Sequence, residues 1–255
     1  MPRVALTREV SPSIADCELT HLARVPIDAA TARAQHAAYE RALADAGYRV
    51  ERLAATEEMP DSVFIEDVAI VFDELAVITR PGAESRRAEV PAVAHALARY
   101  RPLDTISAPG TLDGGDVLQV GTRVFVGVSS RTSRDGVAQL RRLLQPRGYT
   151  VCEVAITGCL HLKSAVTAAS DDTLVVNPDW IPRGAFDGFD IVWTHPDEPM
   201  AANVLRLADR LIVAAAFPRT AERLAERGFR ITPVDAGELA KAEGAVTCCS
   251  LLVNC

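Results

Sequence analysis

The chain carries a thiol, an imidazole and a carboxylate in short apolar segments. Cys248 lies in "AVTCCSLLVN", His161 in "CLHLKSAV" and Asp113 in "TLDGGDV". Together these are the groups of nucleophilic catalysis, in which the imidazole moves protons and the carboxylate orients it. Each alone has an ordinary explanation, because cysteine and histidine are often packing residues and Asp-Gly is a common turn.

Further carboxylates indicate what the thiol would attack. Glu66 and Asp67 lie in "PDSVFIEDVAIV", an apolar segment in which a buried carboxylate needs a partner. A cavity with several carboxylates favours a planar cation, and a guanidinium pairs with carboxylates in a bidentate way. A bound cation also lowers the pKa of a neighbouring thiol. The residue types therefore predict cleavage of a C–N bond at a guanidinium carbon.

An internal repeat predicts how these residues come together. Five segments have an aromatic residue followed by strand-like residues, at intervals of 40 to 52 residues: Tyr48, Tyr100, Tyr149, Phe189 and Phe229. A helical stretch precedes four of these aromatics, and the fourth unit has at most one helical turn. Two short apolar strands precede the helix position in each unit except the first, which lacks its leading strand.

The segment "AVTCCSLLVN", at the other end of the chain, has the pattern of that missing strand. We therefore predict an α/β fold of five strand–strand–helix–strand units in a propeller-like ring, closed by the C-terminal strand. On this strand Cys248, Ser250 and Leu252 would share one face, and Cys249 would pack on the other. The alternative is an open α/β sheet with coincidental spacing.

The leading strands carry polar residues at corresponding positions. These are Glu66 and Asp67, Asp113 and Asp116, His161, Asn203, and Cys248. In a ring such positions converge on one central cavity, where a binding site is expected. Their matching places in the repeat, more than any single residue, indicate a catalytic site.

Composition argues against several other classes of protein. The 255 residues carry a net charge of −7, which disfavours nucleic acid or an anionic membrane as the main partner. No apolar run approaches the roughly 18–20 residues of a membrane span, and "MPRVALTREV" lacks the apolar core of a signal peptide. The six cysteines form no C-x-x-C pair and the five histidines no H-x-x-x-H. We expect a cytoplasmic protein with free thiols and no metal.

Six ordered motifs resemble those of the dimethylarginine dimethylaminohydrolases, of the pentein (guanidino-group-modifying) superfamily. They are "PDSVFIEDVAIV", "AVITRPGAESRR", "LDGGDVL", "VGVSSRTS", "HLKS" and "VTCCSLLVN". The resemblance implies a pentein fold, a five-fold ββαβ propeller, in a single domain over residues 1–255. It also implies hydrolysis of Nω-methylated arginines to citrulline and a methylamine, with no metal and no organic cofactor.

The resemblance implies roles for individual residues as well. Cys248 matches the cysteine that attacks the guanidinium carbon to form a covalent thiouronium. His161 matches the histidine that protonates the leaving amine and activates water, and Asp113 matches the acidic residue that orients it. The matched substrate-binding positions are Asp61, Glu66 and Asp67 as carboxylates around the amino group and guanidinium, Arg86 and Arg131 as ligands of the substrate carboxylate, Leu19 in a flexible lid loop, and Ala242 as a backbone contact.

Two other functions stay open at this point. An arginine deiminase, or another pentein acting on unmethylated guanidines, would share these residues, although such deiminases usually carry an added helical domain. A non-catalytic pentein that binds a macromolecule would be expected to have lost the acid–histidine–cysteine set, which is complete here. The predicted partner is a small-molecule substrate, with no nucleic acid and no membrane, and a homo-oligomer is left open.

Overall fold

The computed structural model describes residues 3–254, whose strands form five separate three-stranded sheets. The strands are β1 (Arg3–Arg8), β2 (Tyr48–Leu53), β3 (Ala69–Val71), β4 (Ala76–Ile78), β5 (Leu103–Thr105), β6 (Val117–Val120), β7 (Arg123–Val128), β8 (Thr150–Ala155), β9 (Val166–Ala168), β10 (Thr173–Val176), β11 (Asp190–Trp193), β12 (Val204–Leu207), β13 (Arg210–Ala214), β14 (Arg230–Val234) and β15 (Leu251–Asn254). The sheets are β15-β1-β2, β3-β4-β5, β6-β7-β8, β9-β10-β11 and β12-β13-β14. In each, the central strand pairs antiparallel with the leading strand and parallel with the outer one.

Four helices connect central strands to outer strands, as the repeat predicted. The helices are α1 (Ala29–Asp45), α2 (Val90–Leu97), α3 (Arg134–Leu144), the short α4 (Leu162–Ala165), α5 (Pro218–Glu226) and the short α6 (Gly237–Ala240). In the fourth unit only turns connect β10 to β11, which confirms the expected weak helix. Asp28 caps the start of α1 by accepting the Thr31 N–H, and Gly47, with φ of 86°, follows its end.

The two ends of the described chain meet in one sheet. β15 pairs antiparallel with β1, from Leu6 opposite Leu251 to Arg3 opposite Asn254. This confirms that the C-terminal strand completes the first unit. The five sheets of residues 3–254 remain separate and do not merge into one closed sheet, but residues of all five leading strands line a common cavity of about 290 Å³. We refer to it below as the central cavity.

The polar residues predicted for the leading strands lie instead in short turns that precede those strands. Residues 65–68 and 114–116 are 3-10 turns, His161 immediately precedes α4, and Cys248 lies in the turn 246–249. Each leading strand begins after its turn. Hydrogen bonds between residues three apart, such as Cys248 N–H to the Ala245 carbonyl, keep these segments from extending into a ladder.

The predicted strand face shared by Cys248, Ser250 and Leu252 is therefore wrong. Ser250 and Leu252 line the central cavity, whereas Cys248 lines a different one. Cys249 is 1% exposed within an apolar cluster, as expected for a packing residue. None of the helices between residues 3 and 254 has the length and apolar character of a membrane span.

Candidate active site

His161 lies between two buried carboxylates. Its Nε2 atom is 3.1 Å from Asp113 Oδ2, and its Nδ1 atom is 3.8 Å from Asp67 Oδ1. Burial disfavours a charge on the imidazole, but the carboxylates of Asp67 and Asp113 outweigh this effect and raise the pKa of His161 to about 9. The imidazole is thus an imidazolium at neutral pH and can donate a proton.

The two glycines of "LDGGD" allow this close approach. A Cβ atom on Gly115 would lie 2.7 Å from His161 Nδ1 and 2.8 Å from Asp67 Oδ1, and one on Gly114 would lie 1.9 Å from the Glu66 carbonyl oxygen. The Gly115 N–H also donates to Asp67 Oδ1 at 3.0 Å. A larger residue at Gly115 would displace the side chains of His161 and Asp67, and one at Gly114 would displace the backbone of Glu66.

Backbone and hydroxyl groups hold the carboxylates of this turn. Asp113 is fully buried, and its Oδ1 atom accepts the Gly82 N–H at 2.9 Å. Asp116 Oδ1 accepts the Leu162 N–H at 3.0 Å, and its Oδ2 atom accepts the Ser129 hydroxyl at 2.6 Å. Burial raises the pKa of Asp116 to about 6. Asp116 thereby fixes the first residue of α4, directly after His161.

Cys248 lines the same cavity as His161. Burial, together with the charges of Glu66 and Asp67, raises the pKa of the Cys248 thiol to about 12. This cysteine is therefore a neutral thiol at physiological pH.

A hydrogen-bonded network from four units holds the turn that carries the thiol. Asn203 Oδ1 accepts the Thr247 N–H at 3.0 Å, and Asn203 Nδ2 donates to Thr247 Oγ1 at 2.9 Å and to the Lys163 carbonyl at 3.0 Å. Thr247 Oγ1 donates to Glu66 Oε2 at 2.8 Å. Lys163 Nζ donates to Glu66 Oε1 at 2.5 Å. The network fixes the residue directly before Cys248.

Arg86 is buried and paired with two carboxylates. It donates to both oxygens of Glu89, at 3.1 and 2.9 Å, and to Asp67 Oδ2 at 2.5 Å. Burial raises the pKa of Asp67, but His161 and Arg86 outweigh this effect and lower it to about 2. Asp67 is therefore ionised and held between a guanidinium and the imidazolium.

The segment of residues 18–22 is hydrogen-bonded to residues that line the cavity, and its first residue, Glu18, lines the cavity itself. The Glu18 N–H donates to Asp61 Oδ2 at 3.1 Å, and the Ser85 hydroxyl donates to Glu18 Oε1 at 2.7 Å. Arg131 Nη2 donates to Thr20 Oγ1 at 3.2 Å. We call this segment the lid.

Comparison with known proteins identifies the family of this site. A family model described as arginine deiminase matches residues 32–191. The N(G),N(G)-dimethylarginine dimethylaminohydrolase of Streptomyces coelicolor is 42% identical over 97% of this chain and 95% of that relative. The chain belongs to the dimethylarginine dimethylaminohydrolase family.

A second relative and a solved structure agree. The dimethylarginine dimethylaminohydrolase of Pseudomonas aeruginosa is 36% identical over 88% of this chain and 89% of its own length. A crystal structure from that organism, of a cysteine-to-serine mutant complexed with citrulline, superposes with a TM-score of 0.94 at 34% identity and 99% coverage of both chains. The fold is thus the pentein fold of the dimethylarginine dimethylaminohydrolases.

Most residues matched to the dimethylarginine dimethylaminohydrolase motifs line one cavity. They are Asp61, Asp67, Arg86, Arg131, His161, Ala242 and Cys248. Asp113 does not line this cavity, but its carboxylate contacts His161 Nε2. Two matched residues are elsewhere: Leu19 packs against an apolar cluster, and the Glu66 carboxylate lies at the central cavity beside Lys163 and Thr247. The single central cavity expected from the repeat is thus two neighbouring cavities, because adjacent residues of a turn point in different directions.

The structure adds residues that the sequence did not indicate. Glu18 and Glu243 also line the active-site cavity, and Glu89 pairs with Arg86. Both cavity glutamates lie in irregular segments, where an acidic residue is ordinarily a solvated surface charge. No repeat position or motif distinguishes them.

Asp67, Asp113 and His161 could also hold a metal ion, since their ligand atoms lie within 4.8 Å of one another. Both Asp67 oxygens already accept hydrogen bonds, from Gly115 and Arg86. Asp113 likewise accepts one from Gly82 and contacts His161. The carboxylate oxygens of Asp67 and Asp113 thus already accept hydrogen bonds from the protein's own groups, as in a buried ion pair. The expectation of no metal stays a prediction.

Proposed function

We propose that this protein hydrolyses Nω-methylated arginines to L-citrulline and methylamine or dimethylamine, with Cys248, His161 and Asp113 as the catalytic residues. One observation carries the proposal. His161, ionised by two buried carboxylates, lines the same cavity as the Cys248 thiol. Family membership supports the substrate class.

Binding of the substrate cation starts the reaction. Because the pKa of Cys248 is about 12 and His161 already holds its proton, the imidazole does not act as the base for the thiol. The guanidinium instead lowers the pKa of Cys248, and the thiol proton leaves to solvent. Asp61 and Asp67 supply negative charge that attracts the guanidinium or the amino group.

The thiolate then forms a C–S bond with the guanidinium carbon. The bond from that carbon to the methylated nitrogen breaks, and His161 gives its proton to the departing amine. The carbon is left as a covalent thiouronium on Cys248. Asp113, 3.1 Å from His161 Nε2, holds the ring in place for this transfer.

Water completes the cycle at the same carbon. The now neutral His161 removes a proton from water, the new C–O bond forms, and the C–S bond breaks. The remaining hydroxyl proton passes to the departing Cys248 sulfur as the carbonyl of citrulline forms, so the thiol is restored and His161 is again an imidazolium. No step needs a metal or an organic cofactor.

Two arginines are proposed as ligands of the substrate carboxylate. The Arg131 guanidinium donates one hydrogen bond among the described residues, to Thr20, and so has donors for a ligand. Arg86 donates two hydrogen bonds to Glu89, one to Asp67 and two to backbone carbonyls, so a substrate carboxylate would share its guanidinium with these groups. The proposed backbone contact is Ala242, and Leu19 is proposed to act through the lid.

We also propose a cytoplasmic location and a small-molecule substrate as the partner, with a homo-oligomer left open. The five described cysteines are free thiols, which suits a reducing compartment. Nothing in the proposed chemistry requires nucleic acid, a membrane or a second copy of the chain.

The deciding experiment supplies asymmetric dimethylarginine, monomethylarginine, arginine and agmatine separately. Citrulline, or carbamoylputrescine from agmatine, is measured with the unaltered protein and with Cys248→Ser. We expect the methylated arginines to be turned over fastest and the variant to be inactive. Faster turnover of plain arginine would favour the second candidate, an arginine deiminase activity, which the match to the arginine deiminase family model supports.

A further inference from the structure

Glu243 connects the wall of the cavity to the lid. One of its carboxylate oxygens, Oε1, accepts the backbone N–H groups of Thr20, His21 and Leu22 at 3.1, 2.5 and 2.7 Å. Three consecutive N–H groups around one oxygen form a concave anion site. Hydrogen bonds to an ionised acceptor are stronger than those between neutral groups.

The backbone of Glu243 is held in an unusual conformation. Its φ is 57°, in the left-handed region that a residue with a side chain seldom adopts, although a glycine would do so without strain. Such a conformation persists only where the surroundings fix it. Here the preceding residue, Ala242, lines the cavity, and the Glu243 side chain lies against the lid.

Two further fastenings of the lid differ from this one, and a third is the hydrogen bond from the Ser85 hydroxyl to Glu18 Oε1. Asp61 and Arg131, which hold Glu18 and Thr20, belong to the proposed substrate-binding set, so a substrate would compete for them. Glu243 has no place in that set, and among the described residues the hydrogen bonds of its side chain go to the lid alone. It can therefore hold the lid while the other two residues engage a ligand.

We propose that Glu243 is a positioning residue that latches residues 18–22 closed over the active-site cavity and so controls entry of substrate and release of product. The proposal rests on the proposed function in taking this cavity as the substrate site. It implies that the carboxylate, and not the apolar packing of Leu19, determines how often the lid opens.

Two variants separate the carboxylate from the backbone. Glu243→Gly removes the side chain and suits the left-handed φ, so it should fold at least as well as the unaltered protein. Glu243→Gln keeps an acceptor oxygen but removes the charge. Glu226→Gln, at the exposed last position of α5, makes the same change of charge away from the lid and serves as the control.

The first measurement needs no substrate. Hydrogen exchange followed by mass spectrometry reports on the amides of residues 20–22, and trypsin reports on exposure of Arg24 in the same loop. We expect these amides to exchange about tenfold or more faster in Glu243→Gly, cleavage after Arg24 to accelerate, and Glu243→Gln to be intermediate. Exchange equal to that of the unaltered protein in both variants would overturn the latch.

The second measurement tests the effect on catalysis. We expect KM for dimethylarginine to rise about tenfold in Glu243→Gly while kcat changes less, because the latch is proposed to act on access to the cavity and not on the chemical step. Faster amide exchange with an unchanged KM would show that the lid does not control substrate entry. If the unaltered protein makes no citrulline but the exchange effect is present, the latch stands and the proposed function fails.

Discussion

The imidazole of His161 and the carboxylate of Asp113 form a buried pair, with 3.1 Å between Nε2 and Oδ2 and no exposure of Asp113 to solvent. This carboxylate is one cause of the raised pKa of His161. The contact therefore orients His161, the proposed proton donor, and helps to set the pH range over which the imidazole holds its proton.

Asp113→Asn should lower kcat by about 10²–10⁴-fold, the usual contribution of general acid–base catalysis. A general acid is active below its pKa, so activity in the unaltered protein should fall as pH rises through about 9. Loss of the Asp113 charge lowers that pKa, which shifts the falling limb of the pH–kcat profile to lower pH. A limb that stays in place would contradict the assigned role of Asp113.

The free Cys248 thiol should react slowly with iodoacetamide at pH 7, because its pKa is about 12. The rate of labelling, followed by mass spectrometry of the Cys248 peptide, should still be rising between pH 9 and 10. Cys248→Ser should abolish both labelling of this peptide at that position and citrulline formation. Cys249→Ser should retain most activity, since Cys249 is a buried packing residue; loss of activity with intact folding would refute this distinction.

Gly115→Ala should lower activity by about 100-fold, because the added Cβ would lie 2.7 Å from His161 Nδ1 and displace the ring. Gly237→Ala is the matched control, since its Cβ would meet no atom closer than 3.4 Å. Steady-state kinetics of both variants, with circular dichroism to confirm folding, provides the test. Equal activity of the two variants would mean that the ring tolerates displacement.

Asn203→Ala should destabilise the fold by about 1–3 kcal/mol, because Thr247 loses two hydrogen bonds to Asn203. It should also lower kcat, since Thr247 directly precedes the proposed nucleophile Cys248. Asn177 is a buried asparagine that makes two hydrogen bonds elsewhere, to Pro199 and Asp179. Asn177→Ala should cost similar stability at unchanged kcat. Urea unfolding measures the stability of the two variants, and initial rates measure their kcat. Equal kcat in the two variants would mean that Asn203 contributes to stability alone and does not position Cys248.

His36 should make the fold sensitive to mild acid. It is buried, its Nε2 atom has no hydrogen-bond partner among residues 3–254, and burial lowers its pKa despite the neighbouring Glu40. Between the folded pKa and the unfolded value of about 6.5, the unfolded chain binds more protons, so stability falls as pH drops below about 6.5. His36→Leu should reduce the change in the free energy of unfolding with pH by up to about 1.4 kcal/mol per pH unit. Urea unfolding of both proteins at pH 7 and pH 5 measures this change in the free energy of unfolding.

The repeat made the architecture predictable, because each unit must bury its apolar strands against the next one. The four helices and the β15–β1 pairing follow from that periodicity and from helix caps such as Asp28. The turns before the leading strands were not predictable in the same way. An apolar segment such as "VFIEDVAIV" is compatible with a continuous strand, and only hydrogen bonds formed in the folded chain, such as Asp67 N–H to the Phe64 carbonyl, define where the turn ends.

The site was predictable where a residue type is costly to bury. Asp67, Asp113 and His161 are conspicuous in apolar segments, and they do meet. The destination of the Glu66 side chain was not predictable, because it depends on which way one residue of a turn points. The contacts of Glu243 were not predictable either, since backbone N–H groups of the lid carry no sequence signal.

The pairing of β15 with β1 also sets an order of events during synthesis. Translation delivers Asp113 and His161 well before Cys248, which lies in the turn leading into β15. Until those late residues leave the ribosome, β1 lacks its antiparallel neighbour and the cavity lacks its thiol. On the proposed mechanism, a nascent chain that still lacks Cys248 does not react with guanidinium compounds, so the pairing that completes this sheet also completes the catalytic set.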